Sequence, residues 1–268
     1  MIIIGEKING SIPSTGKAIA AKDADYIAKL ARIQSEAGAT YIDCCASVNE
    51  GELEMQKWLI DIIQANSDKP ICIDSPDPKV CVGAMEFTNK IGLINSISGE
   101  GDKISVILPA LKGTEWSVVA LLCDDSGIPK DAATRVEIFK RIMGEAEKFD
   151  IAPNRIFIDP LVETLATNGE SLLTFVDTTR QIKALYPDIH VTSGLSNISF
   201  GLPGRMIINM AFMTLAMQAG MDSAIIDPTN RDMMGSIFAT DALLGADDFC
   251  IEYIGAYRDN IIGPAPKK

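Results

Sequence analysis

Short, continuous apolar runs alternate along the whole chain with segments whose apolar residues recur at helical spacing. Unbroken runs of Ile, Val and Leu are typical of strands covered on both faces, and a period of three to four residues is typical of amphipathic helices. The apolar runs predict strands at Ile2–Ile8, Tyr41–Cys45, Pro70–Ser75, Leu93–Ser98, Val118–Cys123, Arg155–Asp159, Ile189–Gly194 and Ser223–Asp227. The helical segments include Asp23–Ala37, Glu52–Gln64, Ala132–Phe149, Ser171–Leu185 and Gly204–Ala219.

This repetition of strand and helix predicts the fold class. Eight strand–helix units in 268 residues favour an α/β protein with one domain, a closed (β/α)8 or TIM barrel, since such barrels run to roughly 250 residues. A doubly wound open sheet is the alternative, but it normally carries a glycine-rich phosphate loop, and the chain has neither a GxGxxG nor a Walker pattern. We expect residues 1–262 to form the barrel and residues 263–268 a flexible tail.

Composition and charge exclude several classes of partner. The net charge is −12 and no cluster of Lys and Arg stands out, which argues against nucleic acid and anionic membrane. No apolar run reaches 18 residues, and the six cysteines form no CxxC pair, so we expect a soluble cytoplasmic protein with free thiols. His190 is the only histidine, so a histidine-rich metal site is excluded and we expect no metal bound by this chain.

Polar residues follow directly on most of the apolar runs. The carboxyl ends of barrel strands carry the active-site groups, so these residues are candidates for function. A single aspartate at such a junction is explained equally well by a helix cap or an Asx turn. A whole ring of them is harder to explain that way, because acids and amides at buried strand ends must be paired or functional. The ring comprises Glu6, Asn9, Asp43, Asp74, Asn95, Asp159 and Asp227.

The chemistry of this ring predicts a flat, neutral, nitrogen-rich ligand such as a pterin. A carboxylate accepts hydrogen bonds from an amino group and a neighbouring ring N–H together, and an asparagine supplies one donor and one acceptor. A Mg²⁺ site built from three carboxylates is the alternative. The alternation of amides with acids and the missing phosphate loop favour the heterocycle.

Five motifs, in order along the chain, resemble those of the pterin-binding methyltransferases. This family includes the methyltetrahydrofolate:corrinoid protein methyltransferases and the matching domain of cobalamin-dependent methionine synthase, and it is related to the dihydropteroate synthases. The most specific motif runs from Gly194 to Pro203 as GLSNISFGLP. The others are Gly5-Glu6-Lys7-Ile8-Asn9, Ile73-Asp74-Ser75, Ile94-Asn95-Ser96 and Phe157-Ile158-Asp159-Pro160.

The resemblance implies a dihydropteroate-synthase-like barrel and an enzyme of class EC 2.1.1. Such an enzyme would transfer a methyl group between N5 of tetrahydrofolate and the cobalt of a corrinoid (cobalamin). The sequence leaves the direction of this transfer open. The chain lacks the Asp-x-His-x-x-Gly signature of a cobalt ligand, so the corrinoid would be carried by a partner protein. The resemblance also implies a homodimer.

The resemblance further implies roles for single residues. Asp74, Asn95 and Asp159 would hold the pterin ring, and Gly194 and Ser196 would contact it. Asn197 would hydrogen-bond near N5 as the main catalytic residue, with Asp74 and Asp159 completing a proton path. Weaker candidates for the same site are Glu6, Asn9, Asp43, Arg205 and Asp227.

Three other functions stay open on the sequence alone. A dihydropteroate synthase would share the pterin pocket, but it normally carries a Ser-Arg pair where this chain has Ser196-Asn197. A non-catalytic folate-binding protein would bind methyltetrahydrofolate without transferring its methyl group. A Schiff-base aldolase would need Lys7 on the first strand as its nucleophile.

Overall fold

The strands of the computed structural model, which describes residues 1–48 and 50–264, form one parallel eight-stranded sheet. The strands run β7-β6-β5-β4-β3-β2-β1-β8, so that neighbours in sequence are neighbours in space. Their bounds are β1 Ile2–Gly5, β2 Tyr41–Cys44, β3 Ile71–Asp74, β4 Leu93–Gly99, β5 Ser117–Asp124, β6 Ile156–Asp159, β7 His190–Val191 and β8 Ser223–Ile226. The prediction of eight strands is confirmed.

Hydrogen bonds between the first and last strands of that order close the sheet into a barrel. Ile225 N donates to Ser193 O at 3.0 Å, and Asp222 N donates to Val191 O at 3.2 Å. Gly194 and Ile225 also form a parallel bridge. Closure leaves no row of unpaired strand groups at an edge, and it decides for the TIM barrel against the open doubly wound sheet.

Helices cover the outside of the barrel, and several begin at a polar side chain that caps the first turn. Asp23 accepts from Tyr26 N and Asp131 accepts from Thr134 N, which satisfies amide groups that lack a partner inside the helix. Within the described residues the α-helices are α1 Pro13–Ala20, α2 Ala24–Glu36, α3 Glu52–Asn66, α4 Pro78–Ala84, α5 Lys103–Leu111, α6 Ala132–Lys148, α7 Ser171–Leu185, α8 Arg205–Ala219, α9 Arg231–Leu243 and α10 Ile251–Arg258. No helix in this part of the chain is both long and apolar enough to cross a bilayer.

The interior of the barrel is an apolar column with polar groups at one end. Ile4, Cys72, Leu93, Val119 and Phe157 pack together inside the barrel. Side chains two positions apart on a strand face the same way, so the residues that follow these by two also face the interior. They form the next layer, at the carboxyl-terminal end that we call the mouth: Glu6, Asp74, Asn95, Leu121 and Asp159.

The ends of the strands differ most from the prediction at β1 and β7. β1 ends at Gly5 and β7 has only two residues, because the segments after them turn into loops. At the carboxyl terminus, Arg231 donates to the carbonyls of Gly263 at 3.0 Å and Pro264 at 3.2 Å. Residues 265–268 lie outside the described residues, and the boundary between barrel and tail stays a prediction.

Candidate functional site

A cavity of about 390 Å³ opens at the mouth of the barrel. This volume lies within the range that small-molecule sites occupy. Eight of the eleven residues predicted for the site line it, and Asp159, Arg205 and Asp227 do not. The lining consists of Glu6, Asn9, Ser11, Ile12, Asp43, Asp74, Asn95, Gly194, Ser196, Asn197 and Ile225.

Two aspartates of neighbouring strands form the acidic side of this cavity. Asp43 is 1% exposed, and its Oδ1 has no hydrogen-bond partner among the described residues. Burial, followed by the charge of Asp74, holds the pKa of Asp43 well above its usual range. Burial also raises the pKa of Asp74. Both pKa values are therefore raised by burial, and Asp43, the more deeply buried of the two, holds a proton more readily than Asp74.

Asn9 ties the loop after β1 to this pair of acids. Its Oδ1 accepts from Ser11 N at 2.9 Å and from Ser11 Oγ at 2.6 Å, which fixes a tight turn. Its Nδ2 faces Asp74 Oδ2 at 3.4 Å. The loop therefore presents Asn9 and Ser11 to the cavity beside Asp74.

Asn95 provides an amide on the next strand. It pairs in register with Asp74 on β3 and with Val119 on β5, and the register of the β4–β5 pair shifts immediately after it. Its carboxamide makes no hydrogen bond within residues 1–48 and 50–264, and it lines the cavity. A ligand would find one donor and one acceptor there.

Asp159 does not line the cavity itself, but it binds the backbone of Gly194, which does. Its Oδ1 accepts from Leu161 N at 2.7 Å and its Oδ2 accepts from Gly194 N at 3.3 Å. Burial raises the pKa of Asp159 to about 6, against the opposing effects of these two amides and of Arg135. A carboxylate has about four acceptor positions, so two remain for a ligand.

The loop after β7 carries the most specific sequence motif, and it forms a 3₁₀ helix at Leu195–Ser199. Asn197 is exposed and lines the cavity together with Ser196. Arg205 Nη2 donates to Ser196 O at 2.6 Å, and its Nε donates to Ser199 Oγ at 3.0 Å. Arg205 therefore holds the turn that presents Asn197 rather than lining the cavity itself.

An ion pair joins the loops that follow β1 and β8 at the mouth. Lys7 Nζ lies 2.6 Å from Asp227 Oδ2, and Asp227 Oδ1 accepts from Thr229 N at 2.9 Å and from Thr229 Oγ1 at 2.6 Å. Burial, and then the charge of Asp227, raises the pKa of Glu6 to about 7. Because Lys7 is held in this pair, the structure gives no support to an aldolase nucleophile at that position.

Sequence reasoning missed three residues that line the cavity: Ser11, Ile12 and Ile225. The Asn-Gly-Ser sequence at positions 9–11 is a turn signal, and it could have indicated Ser11. Within the described residues, no group of three or more His, Cys, Asp or Glu side chains converges in a way that could hold a metal ion.

Comparison with known proteins places these features in context. The model of a family described as pterin binding enzyme matches residues 8–227. A methylcorrinoid:tetrahydrofolate methyltransferase of Eubacterium limosum is 52% identical over the full length of both chains. A methionine synthase of Mycobacterium tuberculosis is 31% identical over 86% of this chain, which corresponds to 21% of that longer protein.

Solved structures with the same architecture include dihydropteroate synthases. The enzyme from Clostridium difficile, solved in the presence of pteroic acid, gives a TM-score of 0.70 at 20% identity and covers 91% of this chain and 96% of that chain. The enzyme from Yersinia pestis, solved with a pterine-sulfa conjugate, gives a TM-score of 0.69 at 18% identity and covers 91% and 93%. At these identities the likeness concerns the fold alone, and it agrees with the expected dihydropteroate-synthase-like barrel.

Proposed function

Because the chain belongs to the family of pterin-binding enzymes, we propose that it transfers a methyl group from the cobalt of a corrinoid to N5 of tetrahydrofolate. The observation that carries the proposal is the full-length identity of 52% to a methylcorrinoid:tetrahydrofolate methyltransferase. The name of that relative supplies the direction, from methylcorrinoid to folate. The likeness to dihydropteroate synthases stays at or below 20% identity, so it favours no second function.

The ring-binding groups in this proposal are Asp74, Asn95 and Asp159. The amino group and ring N–H of a pterin are adjacent donors, and Asp74 lies in the cavity as an acceptor for them. Asn95 supplies a donor and an acceptor one strand away. Asp159 lies behind Gly194 and has acceptor positions still available. For the pterin ring to bind Asp159, the backbone at Gly194 must let the edge of the ring reach the carboxylate.

Asn197 is the residue that we assign to the reacting nitrogen. The corrinoid, when bound, supplies the methyl group and keeps the electron pair of the broken Co–C bond, while the N5 lone pair forms the new bond. N5 thereby gains positive charge and must release one proton. The carboxamide of Asn197 accepts from an N5–H or donates to a free N5, so it stabilises this charge change in either direction.

The released proton needs a path to solvent. Asp74 and Asp159 both have pKa values raised by burial, in the case of Asp159 to about 6, which brings them near the working pH. Groups with pKa values near the working pH exchange protons most effectively. We assign the proton path to these two carboxylates, acting through water in the cavity.

The corrinoid partner would dock over the mouth, because the cavity opens there and Asn197 is exposed at its rim. A second copy of this chain would bind elsewhere. Large apolar side chains are exposed on α8, α9 and the segment after it, with Ile207 72%, Leu243 81% and Phe249 90% exposed. Exposed apolar side chains on two neighbouring helices of an acidic protein support the proposal of a homodimer.

The direct test is to mix the protein anaerobically with methylcobalamin and tetrahydrofolate and to follow the cobalt spectrum. We expect Co(I) and methyltetrahydrofolate to appear in equal amounts. Binding of tetrahydrofolate without any spectral change, with the corrinoid protein as well as with free cobalamin, would indicate a folate-binding protein instead. Condensation that depends on p-aminobenzoate would indicate a dihydropteroate synthase.

A further inference from the structure

Arg135, near the start of α6, is a fully buried arginine with 0% exposure. Its Nε donates to Pro129 O at 3.0 Å, and its Nη1 donates to Leu161 O at 2.8 Å. Its Nη2 has no hydrogen-bond partner among the described residues. A buried guanidinium that is bound to carbonyls, with no carboxylate in contact, is costly to the fold, which calls for a reason to keep it.

The reason lies in the residue that Arg135 holds. Leu161 offers its carbonyl to Arg135 and its N–H to Asp159 Oδ1, the latter at 2.7 Å. Leu161 has φ +69°, a left-handed backbone that a leucine adopts only when its surroundings impose it. The carbonyl and the N–H belong to the two peptide groups on either side of the Leu161 Cα. Holding the carbonyl therefore restrains the backbone dihedrals of Leu161, and these dihedrals aim its N–H at the carboxylate.

The charge of Arg135 acts on the same carboxylate. Burial raises the pKa of Asp159, and Arg135 is the charged group that opposes this rise, alongside the amides of Leu161 and Gly194. The acids that face Arg135 in turn are Glu163, Asp159 and Asp131, in that order of effect. The geometry and the charge therefore act in the same direction, toward a fixed and ionised Asp159.

We propose that Arg135 is a positioning residue, which fixes the carboxylate of Asp159 for ligand binding by holding Leu161. The inference rests on the proposed function in one respect, namely that Asp159 contacts the pterin. The holding of Asp159 by Arg135 is testable in the ligand-free protein.

The matched control is Arg155, at the other end of β6. It also donates to backbone carbonyls, with Nε 2.9 Å from Trp116 O, but it lies far from the mouth. We compare Arg135→Met, Arg135→Lys and Arg155→Met with the wild type. The first readout is the ¹³C carboxyl titration of Asp159 without ligand, assigned with Asp159→Asn. The second is the Kd of tetrahydrofolate from pH 5.5 to 8.5.

Removing the positive charge and the hold on Leu161 should raise the pKa of Asp159, which moves the midpoint of binding to higher pH. Below that midpoint the Arg135→Met variant should bind roughly tenfold more weakly than the wild type. Arg135→Lys keeps the charge but cannot span both carbonyls, so it should leave the midpoint in place and still weaken binding. Arg155→Met should change neither quantity.

An unchanged Asp159 titration in Arg135→Met would overturn the inference. If Arg135→Met does not fold, the test passes to Arg135→Lys. A Kd of tetrahydrofolate for Arg135→Lys that equals the wild-type value across the pH range would also overturn the inference. Failure of the proposed function looks different. In that case the wild type would not bind tetrahydrofolate, or Asp159→Asn would bind it as well as the wild type, while the carboxyl titration could still move in Arg135→Met.

Discussion

Replacing Asp159 by asparagine removes a negative charge from a carboxyl group that is 5% exposed. The pKa of this group rises from its ordinary value of 3.8 to about 6 on folding, with burial as the main cause. A carboxyl group whose pKa is raised in the folded state favours folding when protonated and opposes it when ionised. Asp159 therefore destabilises the fold above pH 6, and this effect is relieved as the pH falls from 6 to below 3.8.

The magnitude follows from the two pKa values. A rise from 3.8 to about 6 corresponds to about 3 kcal/mol of unfolding free energy lost by the wild type at pH 7 and above. Asparagine does not titrate, so its variant does not lose this stability. The variant does lose one of the two amide hydrogen bonds, because its Nδ2 faces an N–H donor, and that loss of about 1–3 kcal/mol is the same at every pH.

The assay is urea unfolding of both proteins from pH 4 to pH 8. We subtract the unfolding free energy of the variant from that of the wild type at each pH. This removes the contributions of Glu6, Asp43 and Asp74, which also have raised pKa values. The difference should change by about 3 kcal/mol in favour of the variant as the pH rises through 4 to 6. A difference that stays constant within 0.5 kcal/mol, on the order of the error of such measurements, would refute the reasoning.

Three further substitutions test the other assignments. Asn197→Ala should lower kcat by roughly 100- to 1,000-fold with little change in the Kd of tetrahydrofolate, measured by single-turnover kinetics and titration; an equal loss in both would reduce Asn197 to an anchor. Asp74→Ala should weaken tetrahydrofolate binding by roughly 10- to 100-fold in calorimetry, and an unchanged Kd would remove Asp74 from the pocket. If the proposed homodimer uses the face of α8, Ile207→Asp should convert it to a monomer in light scattering. Leu173→Asp, at a residue 65% exposed on α7, should not. A dimer that survives Ile207→Asp would exclude that face.

Strand order and the polar mouth followed from the sequence because both depend on local rules. Apolar runs locate the strands, and a period of two carries Asp74 two positions beyond the interior residue Cys72. Parallel strands end on the same side, so acids and amides at those ends had to converge. Predicting that these acids and amides converge therefore required no knowledge of any long-range contact.

The positions of two arginines depend on contacts that the sequence does not record. Arg205 follows the motif of the β7 loop, and only the folded structure reveals that its guanidinium donates to Ser196 and Ser199. Arg135 stands in an ordinary amphipathic helix, and its partner Leu161 lies 26 residues away. Burial of a charged group is set by the packing of several elements together, and periodicity carries no signal for it.

The most direct test of the account is a crystal structure of the protein with tetrahydrofolate bound. We predict the pterin ring in the mouth cavity, with its amino edge in hydrogen-bonding distance of Asp74 and Asn95 and with N5 beside Asn197. A ligand that occupies another part of the molecule, or a ring in the mouth that turns N5 away from Asn197, would contradict the account.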